Sequence, residues 1–112
     1  MLRSGNAPLH VEVVTAAGSS QTDATAIPTN SSLALIVSAG DNTVGIRLPK
    51  AVKGKTYCVK NIGSGGLKVY PATGDAINAI VADTAITMLT VTSALFVAQN
   101  STTWQTIPTV PS

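Results

Sequence analysis

Turn signals interrupt this chain at short, nearly regular intervals: "AAGSS" at 16–20, "IPTNSS" at 27–32, "SAGDN" at 38–42, "LPKAVKG" at 48–54, "IGSGG" at 62–66, "PATGD" at 71–75 and "QNST" at 99–102. The segments between them have strand length and are rich in Val, Ile, Thr and aromatic residues. They fall at 9–15, 33–38, 43–48, 55–61, 66–70, 86–91, 93–99 and 103–107. Short strands punctuated by Gly, Pro, Asn and Asp predict an all-β domain, a small antiparallel β-sandwich or barrel of the jelly-roll kind.

Alternation sharpens that reading. In "LKVY", Leu67 and Val69 leave one side of a strand while Lys68 and Tyr70 leave the other. In "SALFVAQ", Leu95 and Val97 oppose Ala94, Phe96 and Ala98. The "LALIV" run at 33–37 is apolar on both faces, as a central or interface strand would be. One stretch stays open. "DAINAIVADTAI" at 75–86 spaces Ile77, Ile80 and Val81 as on a helix, with Asp75 at the N-cap position, yet its β-branched residues favour extended chain.

At 112 residues the chain is long enough for one domain with its own core. Residues 1–8 lack periodicity and the end carries two prolines in "IPTVPS", so an N-terminal arm (1–8) and a C-terminal tail (108–112) are expected to flank a domain at 9–107. Charged residues make up only 11% of the chain and apolar ones 45%. That leaves little charge to cover the surface, and part of the apolar surface is expected to meet another chain. The single cysteine, Cys58, allows no intrachain disulfide. The start has no apolar run of signal-peptide form, and the longest apolar run is strand-sized, so synthesis and folding in the cytoplasm as a soluble protein are expected.

The residues offer little to catalysis. Nucleophilic mechanisms of the Ser-His or Cys-His type need an imidazole base, and the one histidine, His10, stands beside the arm. One Cys and one His cannot assemble a zinc site of recognisable spacing. "KGKT" at 53–56 ends like a phosphate-binding loop, but Pro49 stands where the first glycine belongs and a strand follows. "GSGG" at 63–66 sits between two strand segments, where a hairpin turn accounts for it. No enzymatic activity, cofactor or metal is expected.

The polar residues of "LKVYPATGDAIN" at 67–78 read as a strand end and a corner. Pro71 withholds an N–H from any ladder, Gly74 supplies a positive φ, and Asp75 is placed to bond backbone two residues on. Six of seven basic residues, Arg47, Lys50, Lys53, Lys55, Lys60 and Lys68, fall between 47 and 68 with no acid among them. Strand alternation sends its members to different faces, and a solvated face that keeps an apolar protein soluble accounts for it; otherwise it suits an acidic protein surface or, less well, nucleic acid, because few aromatics accompany it.

"AGSSQTDATAI" at 17–27, "GIRLP" at 45–49, "VKNIGSGGLKVYPATGDAIN" at 59–78, "LFVA" at 95–98 and Trp104 in "TTWQTIP" follow one another as in small β-rich structural proteins of tailed-phage virions. The run, about 90 residues, resembles the capsid cement or decoration proteins and related head-fibre and tail-fibre domains. The resemblance implies a non-enzymatic protein on the capsid exterior. Its partners would be the major capsid protein and itself, commonly as a homotrimer, clamping capsomers against packaged DNA. For such a role the candidates for shell contact are the arm (Met1, Leu2, Arg3, Asn6) and, because charge complementarity steers docking, the basic loop (Arg47, Lys50, Lys53, Lys55); Trp104 and Ile107 are candidates for contact between subunits, with an ordinary core position for Trp104 equally open. A fibre module for host attachment is the alternative, which the lack of a shaft in this short chain disfavours.

Overall fold

Residues of high strand propensity fill the short segments between the turns, and most residues facing inward at each second position are apolar. The computed structural model describes residues 11–27 and 33–108. Ten strands form: β1 (Val11–Thr15), β2 (Thr25–Ala26), β3 (Leu33–Ser38), β4 (Gly45–Arg47), β5 (Thr56–Asn61), β6 (Leu67–Tyr70), β7 (Ala76–Ile77), β8 (Ile86–Met88), β9 (Ser93–Ala98) and β10 (Thr103–Ile107). No helix occurs among the described residues. The open segment at 75–86 resolves into β7, a pair of turns and the start of β8.

The strands make two sheets, a six-stranded one in the order β1-β3-β5-β9-β10-β7 and a four-stranded one in the order β2-β4-β6-β8. Through β6 the chain alternates between them, laying one strand in each per circuit. Successive strands are therefore parallel, β1 to β3 to β5 in one sheet and β2 to β4 to β6 in the other. Partners advance by about one coil each time: Val11 pairs with Ala34, and Ala34 with Cys58. After β6 the chain still crosses between the sheets, but parallel stacking on the preceding coil ends, and β7 pairs only with β10 at the far edge of the larger sheet. β8 returns antiparallel on β6, and β9 returns antiparallel on β5 and is followed by antiparallel β10.

All-β structure in two sheets agrees with the expectation; a wholly antiparallel sandwich or barrel does not. The architecture is solenoid-like, with antiparallel strands only in the final third. The physical reason lies in the connections. A hairpin keeps both strands in one sheet, whereas the segment after β5 carries the chain across to the other sheet, so "GSGG" is a crossing corner and no hairpin turn. Short strands divided by Gly-rich turns suit either plan, and alternation does not report strand direction.

The core lies between the sheets. Leu35, Val37, Tyr57, Val59, Phe96 and Trp104 come from the larger sheet, and Ile46, Leu67, Val69, Ile86 and Met88 from the smaller, all essentially without exposure. The predicted alternation in "LKVY" and "SALFVAQ" is the observed one. Tyr57 and Trp104 rings pack at 5.6 Å between centroids, tilted by 46°. Such pairs add to burial through complementary edge and face charge.

Corners must stack as closely as strands. A Cβ on Gly63 would stand 2.2 Å from the Ala39 carbonyl oxygen, and one on Gly65 2.2 Å from the Asp41 carbonyl carbon. Asn61, fully buried, ties this corner down: Nδ2 donates to Gly65 O (2.8 Å) and Met88 O (3.1 Å), while Oδ1 accepts from Gly63 N (3.0 Å). Gly63→Ala should therefore lower unfolding free energy by about 1–3 kcal/mol, as overpacking does, with denaturant titration as the check. Gly40→Ala, in open space, should change it by less than about 0.5 kcal/mol.

Candidate functional site

The polar corner at 67–78 is built around one carboxylate. β6 ends at Tyr70, Pro71 is buried, Gly74 takes φ +86°, and the Asp75 amide donates to Ala72 O at 2.9 Å to close the turn. Asp75 is completely buried. Its Oδ2 accepts from the Ala51 amide at 2.8 Å, and its Oδ1 pairs with Lys50 Nζ, which also donates to Ser101 O at 2.7 Å. The local bond expected of Asp75 is absent from this arrangement. A carboxylate facing the core reaches chain 24 residues away, and it is Asp41 that makes the local bond, accepting from Thr43 N at 2.7 Å. The remaining corner amide, Gly74 N, donates to Asp83 Oδ1 at 2.7 Å.

The same corner holds the first coil. Gln21 Nε2 donates to Pro71 O (2.9 Å) and Asp83 Oδ1 (3.0 Å), and Tyr70 Oη donates to Ser19 O (3.2 Å). Arg47 Nη1 donates to Gln21 O (2.9 Å) and Thr22 O (3.1 Å). Lys68 Nζ reaches Thr87 Oγ1 at 2.9 Å.

These contacts divide the expected basic loop. Arg47 and Lys50 are bound to the chain's own carbonyls and to Asp75, because the corner needs donors where main-chain oxygens converge; they are structural members of the corner. Lys53 and Lys55 lie on the turn that enters β5, Lys53 exposed and Lys55 half-buried. Met1, Leu2, Arg3 and Asn6 lie outside the described residues, as do most of the arm and tail and His10.

The two residues expected at a subunit contact part company. Trp104 points inward and is fully buried in this chain's own core, so it presents no surface to a second subunit. Its Nε1 has no hydrogen-bond partner among the described residues. Ile107, on the opposite parity of the same strand, is 61% exposed.

Ile107 belongs to a feature that the sequence reading did not assemble. The strand pairings place Val11, Ala34, Cys58, Leu95 and Ile107 in one row across the outer face of the six-stranded sheet. The next row along the strands holds Val13, Ile36, Lys60 and Ser93. Eight of these nine side chains are uncharged, and Val13 is 78% exposed. The signal for it was the 33–38 run, apolar at both parities; aligning it with Val11, Leu95 and Ile107 required the register.

The polar side chains of the corner are bonded to one another and to main chain, and no group of three or more His, Cys, Asp or Glu side chains that could hold a metal occurs among the described residues. No helix among them is long and apolar enough to cross a membrane. No family model, curated protein or solved structure matches the chain.

Two outcomes follow from the corner. Asp75→Ala strands the buried Ala51 amide and should cost about 2–3 kcal/mol, whereas Asp75→Asn, whose amide oxygen still accepts that bond, should cost less; thermal melts of both variants check this. Three exposed carboxyls are held below their ordinary range by hydrogen bonds: Asp23 by Ser20, Asp41 by Thr43 and Asp83 by Gln21, the side-chain bond being the largest cause in each. Depressed folded values mean that the unfolded chain takes up these protons first. Their stabilisation is thus present above the unfolded value near 4 and lost as pH falls through the folded values. Melting temperature should be level from about pH 5 to 7 and fall below about pH 4.

Proposed function

We propose that this chain is a non-enzymatic structural protein of a tailed-phage virion. It binds the outer surface of the capsid as a cement or decoration protein and reinforces the shell against the pressure of packaged DNA. The observation that carries this reading is the internal satisfaction of the corner at 67–78. Its carboxylate, amides and cations are consumed in joining coils, which suits a scaffold whose work is binding. The resemblance of 17–27, 45–49, 59–78 and 95–98 to virion proteins supports the setting.

Shell contact is assigned to the turn carrying Lys53 and Lys55 and to Met1, Leu2, Arg3 and Asn6; subunit contact to Ile107 in a homo-oligomer, a trimer on the resemblance. A small two-sheet body serves this purpose whether its sheets are named a sandwich or a short solenoid. Cationic turns steer docking to an acidic surface through charge that salt screens.

Purified protein should bind expanded heads of its phage and neither immature shells nor host cells, and heads lacking it should leak DNA on heating. Binding to host cells in place of heads would establish the fibre-module alternative. Lys53→Ser with Lys55→Ser should weaken head binding several-fold at low ionic strength and little at high, read from co-sedimentation across a salt series. A loss independent of salt would remove the steering role of this turn.

A further inference from the structure

Among the described residues, the outer face of the six-stranded sheet adds nothing to the core. Core residues leave the opposite side of the same strands, and the row through Val11, Cys58 and Ile107 adds nothing to that core. We infer that this face is a self-association surface, covered by the same face of a second copy of the chain, with Cys58 next to the symmetry axis.

Size and charge favour that occupant. Five strands at ~4.8 Å spacing and five residues at ~3.3 Å rise span roughly 24 by 17 Å, about 400 Å² in plan and more over the side-chain relief. A patch of that extent matches the largest on a typical soluble monomer, and patches of that rank are often functional contacts. Two such faces together remove roughly 800–1,000 Å², the lower edge of a specific interface, so association should depend on concentration. Interfaces between like subunits are the more apolar ones, with charge kept from their centre. The two rows carry one charge, Lys60, and no acid, so the face offers a charged partner little to read, whereas its apolar majority is complementary to itself.

Symmetry then places the cysteine. In a two-fold pair, the symmetry under which a face meets its own copy, each chain presents the same patch and the axis passes close to its centre; a three-fold assembly would be completed through other surfaces. Cys58 is the third of five residues in its row and is exposed, flanked by Ala34 on one side and Leu95 on the other. Copies meeting through this face therefore bring their Cys58 thiols together.

This inference rests only on the self-association part of the function proposed above and is tested without any capsid. Sedimentation equilibrium of the purified chain under reducing conditions, over a concentration series, should give a mass at least twice the 11.3 kDa of one chain. Val13→Lys combined with Ile107→Lys, both at exposed positions, should return that mass to the monomer with an unchanged melting temperature. A short bis-maleimide should cross-link the wild-type chain through Cys58 and leave Cys58→Ser uncross-linked. A wild-type monomer at the highest soluble concentration overturns the inference, as does an oligomer that survives the double substitution. An oligomer that the reagent fails to cross-link overturns the position given to Cys58. Failure of head binding with self-association intact would instead count against the shell reading alone.

Discussion

Burying a carboxylate in a domain with this few charges is expensive unless each oxygen is matched, and Asp75 meets that condition with two neighbouring partners, Lys50 and the Ala51 amide. Lys50 and the Ala51 amide bring the approach to β5 onto the corner, and the Lys50 contact with Ser101 O draws in the turn before β10. The corner so fixed offers Pro71 O and Tyr70 Oη to the loop at 18–23. The first coil, the third coil and the closing strands thus converge on one buried side chain. Packing supplies the bulk of stability; this convergence specifies which coil sits against which.

Solenoids of parallel strands place another demand on the sequence. Equivalent residues of adjacent coils stand less than 5 Å apart along the stacking direction, so side chains at corners meet main chain of the next coil. Glycine at 63 and 65 answers that demand sterically, and Asn61 answers it in hydrogen bonds. The phosphate-binding appearance of "GSGG" and the chemical appearance of "YPATGD" have this common origin. Residues that let chains approach, or that satisfy main chain away from solvent, are the types that binding sites also use.

Strand class, strand positions and in-out parity were legible because they depend on local pattern: Leu67, Val69, Phe96 and Ala98 face inward as alternation requires. β2 and β7, two residues each, were too short to leave a pattern. Strand direction was not legible, since "NIGSGGL" joins β5 to β6 and a turn-rich heptapeptide serves a hairpin and a sheet-to-sheet crossing alike. The partners of Arg47, Lys50 and Asp75 lie 24 to 51 residues away, beyond any local rule, so their charges read as a free surface when they are structural. Trp104 illustrates the same limit: an aromatic near a chain end suits a contact or a core, and only the register of β10 on β9 decides.

The regular advance of the parallel ladders also bears on how such a chain can vary. Val11 pairs with Ala34 and Ala34 with Cys58, offsets of 23 and 24 residues, while each sheet requires its own strand from every circuit. Stacks of this kind are held chiefly by nearest neighbours. Loops between strands tolerate small changes in length, but the body can grow or shrink only by a whole circuit, because any fraction would deliver a strand to the wrong sheet. Height in this architecture is therefore counted in integers, and duplication or loss of a complete coil is the step by which a relative of different height would arise.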